Sequence, residues 1–482
     1  GTDDGLVHIS KNHGKEWTDV TPDGLPEWST VCCIEISPHD PGTVYIAATR
    51  YKLQDNNPYL FMTRDYGDNW TKIDDGIPCG ELTRVIREDT SRNGLLFVGS
   101  ERGIFVSFDQ GSSWQKLDTN LPVVAVHDMT IKNDDLVVAT HGRSFWVLDD
   151  LTPLREFLGD ADAQLMTPRP AYRFLHGSVA DRWGGPGINY AVRSGIYAAH
   201  LEVETKDMGK HRKFIDAAEN PPIGAVIFYY LPESVDQNTE LTLTFIDSQG
   251  KVIKTFDSKD EAGSICLSKD VGLNRFIWDL RYPDAESVNG DSGTIQSVKG
   301  PVASTGIYQV KIEMGAFIDT KTFEVRTYPD VGADPKDIAE QFDFLIKIRD
   351  KLSEIHAGIN DVRYLKKQIC NWTENDNGST DISLLADRLL EELESIEETL
   401  IQTKFKSPLD RVKYPAKLNY QLGELGTVVG SADCKPTRQS YEVYDYLCVN
   451  IEKELHRLNL LRASGLDEIN ALITSKKLSP IQ

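Results

Sequence analysis

Apolar positions change their spacing along this chain, and the changes divide it. In the first 150 residues they come as short strand-like runs, Leu6 to Ile9, Val31 to Ile36, Tyr59 to Met62 and Gly103 to Val106, separated by turn-rich segments. Between 151 and 220 the pattern is punctuated by Pro168, Pro170, Gly184-Gly-Pro-Gly187 and Asn220-Pro-Pro222, which reads as an irregular linker arm. From Gly224 to Val325 alternating or β-rich runs follow one another: Ala225 to Tyr230, Leu241 to Ile246, Val252 to Phe256, Arg275 to Leu280, Tyr308 to Ile312 and Thr322 to Val325. Turn signals such as Asp247-Ser-Gln-Gly250 separate them, so a small β-sandwich is predicted over 221–330, with Trp278 in its core.

After residue 331 the period becomes three and four. Asp334-Pro335 supplies an N-cap and a first-turn proline, and Ile338, Phe342, Leu345, Ile348, Leu352 and Ile355 form one stripe. Ile382, Leu385, Leu389, Leu393, Ile396 and Leu400 make a second, with a solvated face of glutamates between them. Pro436-Thr437 opens a third helix through Tyr441, Tyr444, Cys448, Ile451, Leu455 and Leu458, and Ala416 to Val429 reads as a shorter one. A helical hairpin or bundle is predicted over 331–482.

One eight-residue pattern recurs among the N-terminal runs. It reads Ser10-Lys-Asn-His-Gly-Lys-Glu-Trp17, Thr63-Arg-Asp-Tyr-Gly-Asp-Asn-Trp70 and Ser107-Phe-Asp-Gln-Gly-Ser-Ser-Trp114. The hydroxyl (Ser10, Thr63, Ser107) and the Asn12, Asp65 or Asp109 side chain can accept backbone N–H groups just downstream. Gly14, Gly67 and Gly111 supply positive φ, and the tryptophan gains a fixed place to bury its ring. Each box therefore predicts a hairpin turn. Their starts at residues 10, 63 and 107 approach the ~40–50-residue period of a four-stranded propeller blade.

This pattern is the Asp-box, or BNR repeat, and the chain resembles Asp-box β-propeller proteins. It is most similar to bacterial proteins with a sortilin-like (VPS10-type) propeller, often labelled glycosyl hydrolases. His141-Gly-Arg-Ser-Phe-Trp-Val-Leu-Asp-Asp150 resembles the segment that ends such propellers, and Gly272 to Pro283 resembles their following β-domain. Pro415 to Ala432 and Pro436 to Leu447 resemble their helical tail. The resemblance implies a mainly β fold with an α-helical C-terminal region. It would comprise the C-terminal blades of a propeller over 1–150, a fibronectin-III-like or Ig-like sandwich and a helical bundle. Closure needs about four to eight blades, whereas 1–150 offers about three, so further blades are expected upstream or on a partner chain.

Composition narrows the partners. With 74 acidic against 52 basic residues the formal charge is −22, which disfavours nucleic acid and anionic membrane faces. No apolar run reaches membrane-spanning length, and membrane insertion is not expected. Seven cysteines make no disulfide framework, and no histidine or cysteine spacing fits a metal, so no metal or cofactor is expected. No Gly-x-Ser-x-Gly elbow, phosphate loop or dinucleotide fingerprint appears.

The box aspartates are read as turn formers, and no catalytic residue is assigned. Glycoside hydrolysis would need two other carboxylates flanking one bond. Glu101, Asp149 and Asp150 are acidic candidates, Arg84, Arg87, Arg102 and Arg143 could meet anionic ligands, and His141 lies in the propeller-ending segment. The expectation is a non-catalytic binding or scaffolding protein recognising glycan or protein, secreted, periplasmic or surface-associated by resemblance. The alternatives are a glycoside hydrolase completed by missing blades and a component of an extracellular assembly joined through the helical tail.

Overall fold

Residues 1–159 fold as successive antiparallel meanders. The computed structural model describes residues 1–159, 162–174, 187–193, 196–205, 209–217, 221–233, 236, 238–259, 265–291, 298–375, 380–407, 410, 412–465, 470–471 and 474. It divides into two units, Gly1–Gly159 and Asp160–Gln482. In the first, β1 (His8–Ile9) pairs with β2 (Thr18–Asp19). Two four-stranded sheets follow in chain order. One comprises β3 (Thr30–Ile36), β4 (Val44–Arg50), β5 (Asp55–Thr63) and β6 (Thr71–Lys72). The other comprises β7 (Thr83–Glu88), β8 (Leu96–Ser100), β9 (Gly103–Ser107) and β10 (Gln115–Lys116). A three-stranded sheet of β11 (Val126–Lys132), β12 (Asp135–Thr140) and β13 (Phe145–Leu148) completes the series. These are propeller blades, with β3, β7 and β11 as inner strands. Tyr45, Leu60, Ile86, Leu96 and Trp114 fill the core between the first two full sheets. Val85, Phe97, Ile104, Val126 and Val138 fill the next.

Each box forms the turn between the last two strands of its meander. Thr63 Oγ1 accepts from the Gly67 N–H at 2.9 Å, and Asp65 Oδ1 accepts from the Thr63 hydroxyl and the Asn69 N–H, each at 2.8 Å. Ser107 and Asp109 repeat this with Gly111 at 2.8 Å and the Ser113 N–H at 2.9 Å. Asn12 does the same for the Glu16 N–H at 2.9 Å, because the turn needs only an acceptor oxygen. The tryptophan then fastens neighbouring blades: Trp70 Nε1 donates to the Val20 carbonyl at 2.7 Å and Trp114 Nε1 to that of Ile73 at 2.6 Å. Gly67 (φ 93°) and Gly111 (φ 83°) sit against the same strands, and an added Cβ would come within 2.9 Å of Val20 and Ile73. Trp17 departs from the expectation of burial and is 63 % exposed. Its counterparts Trp70 and Trp114 are received by the preceding meander.

In the second unit, one sandwich sheet runs β14 (Gln164–Leu165), β19 (Ala225–Leu231), β22 (Gly272–Trp278). The facing sheet runs β15 (Ala171–Arg173), β24 (Phe317–Thr327), β23 (Gly306–Met314), β20 (Leu241–Ile246), β21 (Val252–Asp257). Trp278 is fully buried and stacks on Phe245 with ring centroids 4.6 Å apart. The reading of 151–220 as irregular needs correction. It contains α1 (Thr152–Glu156), β14, β15 and a separate antiparallel sheet of β16 (Ile188–Arg193), β17 (Ile196–Thr205) and β18 (Gly209–Phe214). Of these strands β18 is dominated by Lys, His and Arg and shows no alternation in sequence, and β14 and β15 are too short to register one. The turn signals at 184–186 and Asn220 lie outside the described residues.

The helices are α2 (Pro335–Asn375), α3 (Thr380–Leu400), α4 (Leu418–Val429) and α5 (Arg438–Leu460). Asp334 Oδ1 caps α2 by accepting from the Lys336 N–H at 2.9 Å, and Thr437 caps α5 through the Ser440 N–H at 3.2 Å. Ile348, Leu352, Ile355, Leu389, Leu393, Ile396, Ile451 and Leu458 share one core; the side chain of Ile382 lies outside the described ones. Arg173, only 2 % exposed, keys the sandwich to the helices. Its Nη1 donates to the Val302 and Ala303 carbonyls at 2.7 Å, its Nε to Asp433 Oδ1 at 2.8 Å and its Nη2 to Gln341 Oε1 at 3.2 Å. No helix among the described residues is long and apolar enough to cross a membrane.

Candidate ligand site

An antiparallel meander sends alternate loops to opposite ends. The start of each inner strand shares one end, here called the lip, with the loops β4–β5, β8–β9 and β12–β13. The boxes and the loops after the inner strands share the other. Two backbone bonds tie that box end together, Tyr66 N–H to the Gly42 carbonyl at 3.1 Å and Gln110 N–H to that of Gly94 at 2.9 Å. Box carboxylates and lip residues are therefore separated by the length of the blade.

The lip gathers charged and aromatic groups. Arg84, on β7, donates from Nη2 and Nε to Glu101 Oε2 at 2.8 and 3.2 Å. Its guanidinium lies 5.4 Å from the Tyr51 ring centroid. On the next blade the His127 and His141 rings lie 4.8 Å apart at 30°. Burial and then the charges of Arg84 and His141 hold His127 below the usual imidazole range, against an opposing pull from Glu101. Arg102 anchors its backbone N–H on Glu81 Oε1 at 2.9 Å and leaves its side chain exposed. Arg143 likewise is held by its backbone, with its N–H on Thr140 Oγ1 at 3.2 Å and its carbonyl on Trp146 Nε1 at 2.9 Å. Arg84, Glu101, Arg102, His141 and Arg143 thus all belong to the lip.

Arg87 lies deeper, between three blades. It donates to Glu35 Oε2 at 3.1 Å, to Asp128 Oδ1 at 2.8 Å and to the Met129 carbonyl at 2.7 Å. Burial pushes the Glu35 acid up, against the opposing charge of Arg87. Asp149 and Asp150 do not join the lip. They follow β13 at the box end, where Asp150 Oδ1 accepts from the Thr152 N–H at 3.0 Å and holds the start of α1. Among the described residues no group of three or more His, Cys, Asp or Glu side chains could hold a metal ion.

Tyr51, His127, Glu35 and Asp128 escape the sequence reading. Aligning Thr30-Val-Cys-Cys-Ile-Glu35 with Leu82-Thr-Arg-Val-Ile-Arg87 and Ala125-Val-His-Asp-Met-Thr130 is the signal that brings out the last three.

No family model and no curated protein matches the chain. Among solved structures it is similar to YCF48 bound to D1 peptide, at 15 % identity and TM-score 0.25, covering 30 % of this chain and 44 % of that one. It is also similar to a GH74 xyloglucanase from Xanthomonas campestris, at 11 % and 0.24, covering 69 % and 43 %. A GH74 enzyme from Niastella koreensis matches at 12 % and 0.25, covering 67 % and 51 %. The chain spans about half the length of these proteins or less. Similarity at this level lends it neither an activity nor a ligand.

Proposed function

We propose that the chain is the C-terminal part of an extracellular Asp-box, sortilin-like propeller protein that binds glycan without cleaving it. In this reading further blades complete the ring, and the sandwich serves as a fibronectin-III-like spacer beside the helical region. The observation that carries it is the state of the lip. Glu101 is engaged by Arg84, Glu81 by the Ser100 hydroxyl and Asp55 by the Tyr59 hydroxyl, while Tyr51, Arg102, His127, His141 and Arg143 face solvent. Such a surface offers donors and flat rings but no pair of unengaged carboxylates to flank a glycosidic bond.

Glu35 favours the hydrolase as a second reading. Burial raises its pKa, as a general acid requires, and Asp128 lies across Arg87 from it. Incubating the full-length native protein with neutral and acidic polysaccharides separates the two. Depletion of protein onto a polysaccharide without new reducing ends is the expected outcome. Reducing ends that disappear in Glu35→Gln would establish the hydrolase instead.

A further inference from the structure

The inner strands of three consecutive blades share one irregularity. Val31 pairs with Ala48 and Cys33 with Ala47, so Cys32 is the extra residue of a bulge in β3. Thr83 pairs with Ser100 and Val85 with Gly99, which leaves Arg84 extra in β7. Val126 pairs with Thr140 and Asp128 with Ala139, which leaves His127 extra in β11. A bulge gives up regular pairing to re-aim one side chain. Here it recurs at the same position in each blade, always at the lip, and two of the three extra residues are cationic or become so in mild acid.

Resting on the binding role above, we propose that these bulge positions line a subsite for a uronic-acid polysaccharide. Arg84 and His127 would hold a carboxylate, with the rings of Tyr51 and His141 beside the sugar faces.

Charge selects the carboxylate. Arg50, Lys52, Arg84, Arg102 and Arg143 stand against Asp55, Glu81 and Glu101 at this end of a chain whose overall charge is −22, so this is a local reversal of sign. Donors remain to be used. Arg84 spends Nε and Nη2 on Glu101, whereas its Nη1 and the ring nitrogens of His127 and His141 make no hydrogen bond with any described residue. A planar guanidinium with an unused edge suits a carboxylate.

The same bulges favour glycan over peptide. Extended peptides gain affinity by adding to a regular strand edge, and the bulges break that edge at the lip on all three blades. A polymer carrying one carboxylate per flat ring needs no strand edge. It needs a charged donor and an exposed ring on neighbouring blades, as Arg84 with Tyr51 and His127 with His141 provide.

The test is calorimetric titration of the full-length native protein with oligogalacturonate. Saturable binding is expected, weakened about tenfold or more by Arg84→Gln and by His127→Ala. Affinity should rise as pH falls through the lowered value at which His127 gains a proton, and His127→Ala should flatten that rise. Arg84→Lys, which keeps the charge and loses the fork, should weaken binding without moving the melting temperature, which excludes a folding artefact. Absence of oligogalacturonate binding, or binding indifferent to Arg84→Gln and His127→Ala, would overturn the proposal. So would a polyglutamate peptide that binds in place of the uronate with the same residue dependence. A neutral xyloglucan oligosaccharide bound independently of Arg84 would sink the carboxylate subsite and leave the glycan-binding role standing, whereas release of reducing ends would strike the binding role itself.

Discussion

At the scale of single residues, the boxes show how local chemistry becomes assembly. A hydroxyl and a carboxylate consume the amide groups of one turn, and the turn then aims a tryptophan at the preceding blade. Trp114, 5 % exposed and bonded to the Ile73 carbonyl, should cost about 3–5 kcal/mol as Trp114→Ala. Trp17→Ala in residues 1–482 taken alone should stay within about 0.5 kcal/mol, since Trp17 is mostly in solvent there. Chemical denaturation of both variants tests the contrast, and equal losses would refute it. The carboxylates make a pH prediction. The Asn69 side chain and amide and the Thr63 hydroxyl hold Asp65 below the usual range. At Asp109 burial pulls upward, but the Ser113 hydroxyl and amide and Ser107 outweigh it. Both lowered groups contribute stability that is complete above the unfolded carboxylate value of about 3.9 and lost as pH falls through the folded values. The drop in melting temperature between neutral pH and about pH 3 should therefore shrink in the Asp65→Ala, Asp109→Ala double variant. These turns were legible because every partner lies within four residues. The fate of Trp17 was not, because its neighbour must come from another blade.

At the scale of elements, one buried cation fastens the sandwich to the helices. Arg173 meets Asp433, Gln341 and two carbonyls, and Gln341 in turn donates to the Val429 and Ala432 carbonyls. Removing one partner leaves a buried charge without its counter-ion, so Arg173→Ala should cost about 3–5 kcal/mol and Asp433→Ala a similar amount. The paired Arg173→Met, Asp433→Leu variant should regain part of it, because neither charge is then stranded. Urea titrations of the three variants test this, and an additive double loss would show that the residues act separately. The helices were readable because one apolar stripe repeats over many turns and Asp334 and Thr437 mark two starts. Arg173 was not, since its partners lie more than a hundred residues away. The bulges at Cys32, Arg84 and His127 were hidden for a related reason. Register belongs to a pair of strands, and no single strand's pattern shows an extra residue.

At the scale of the whole propeller segment, the stabilising turns and the proposed ligand surface occupy opposite ends of the same blades. The box end carries the turns whose tryptophans clamp one blade to the next, and the lip carries the arginines, imidazoles and rings. A meander cannot place both at one end, because the turn before its last strand and the start of its inner strand face opposite ways. Substitutions should consequently separate into two classes. Asp65→Ala and Asp109→Ala should lower the melting temperature and, well below that temperature, leave polysaccharide retention unchanged. Arg84→Gln and His127→Ala should abolish most retention and leave the melting temperature within about two degrees of the parent, since His127 is exposed and the glutamine keeps a hydrogen-bonding side chain beside Glu101. Salt should discriminate as well: retention through Arg84 should fall as ionic strength rises, whereas blade clamping through buried tryptophan should not. Melting curves and affinity electrophoresis on the same four variants decide it. Box variants that lose retention while still folded would place the ligand at the turns, and the division of labour between the two ends would be wrong.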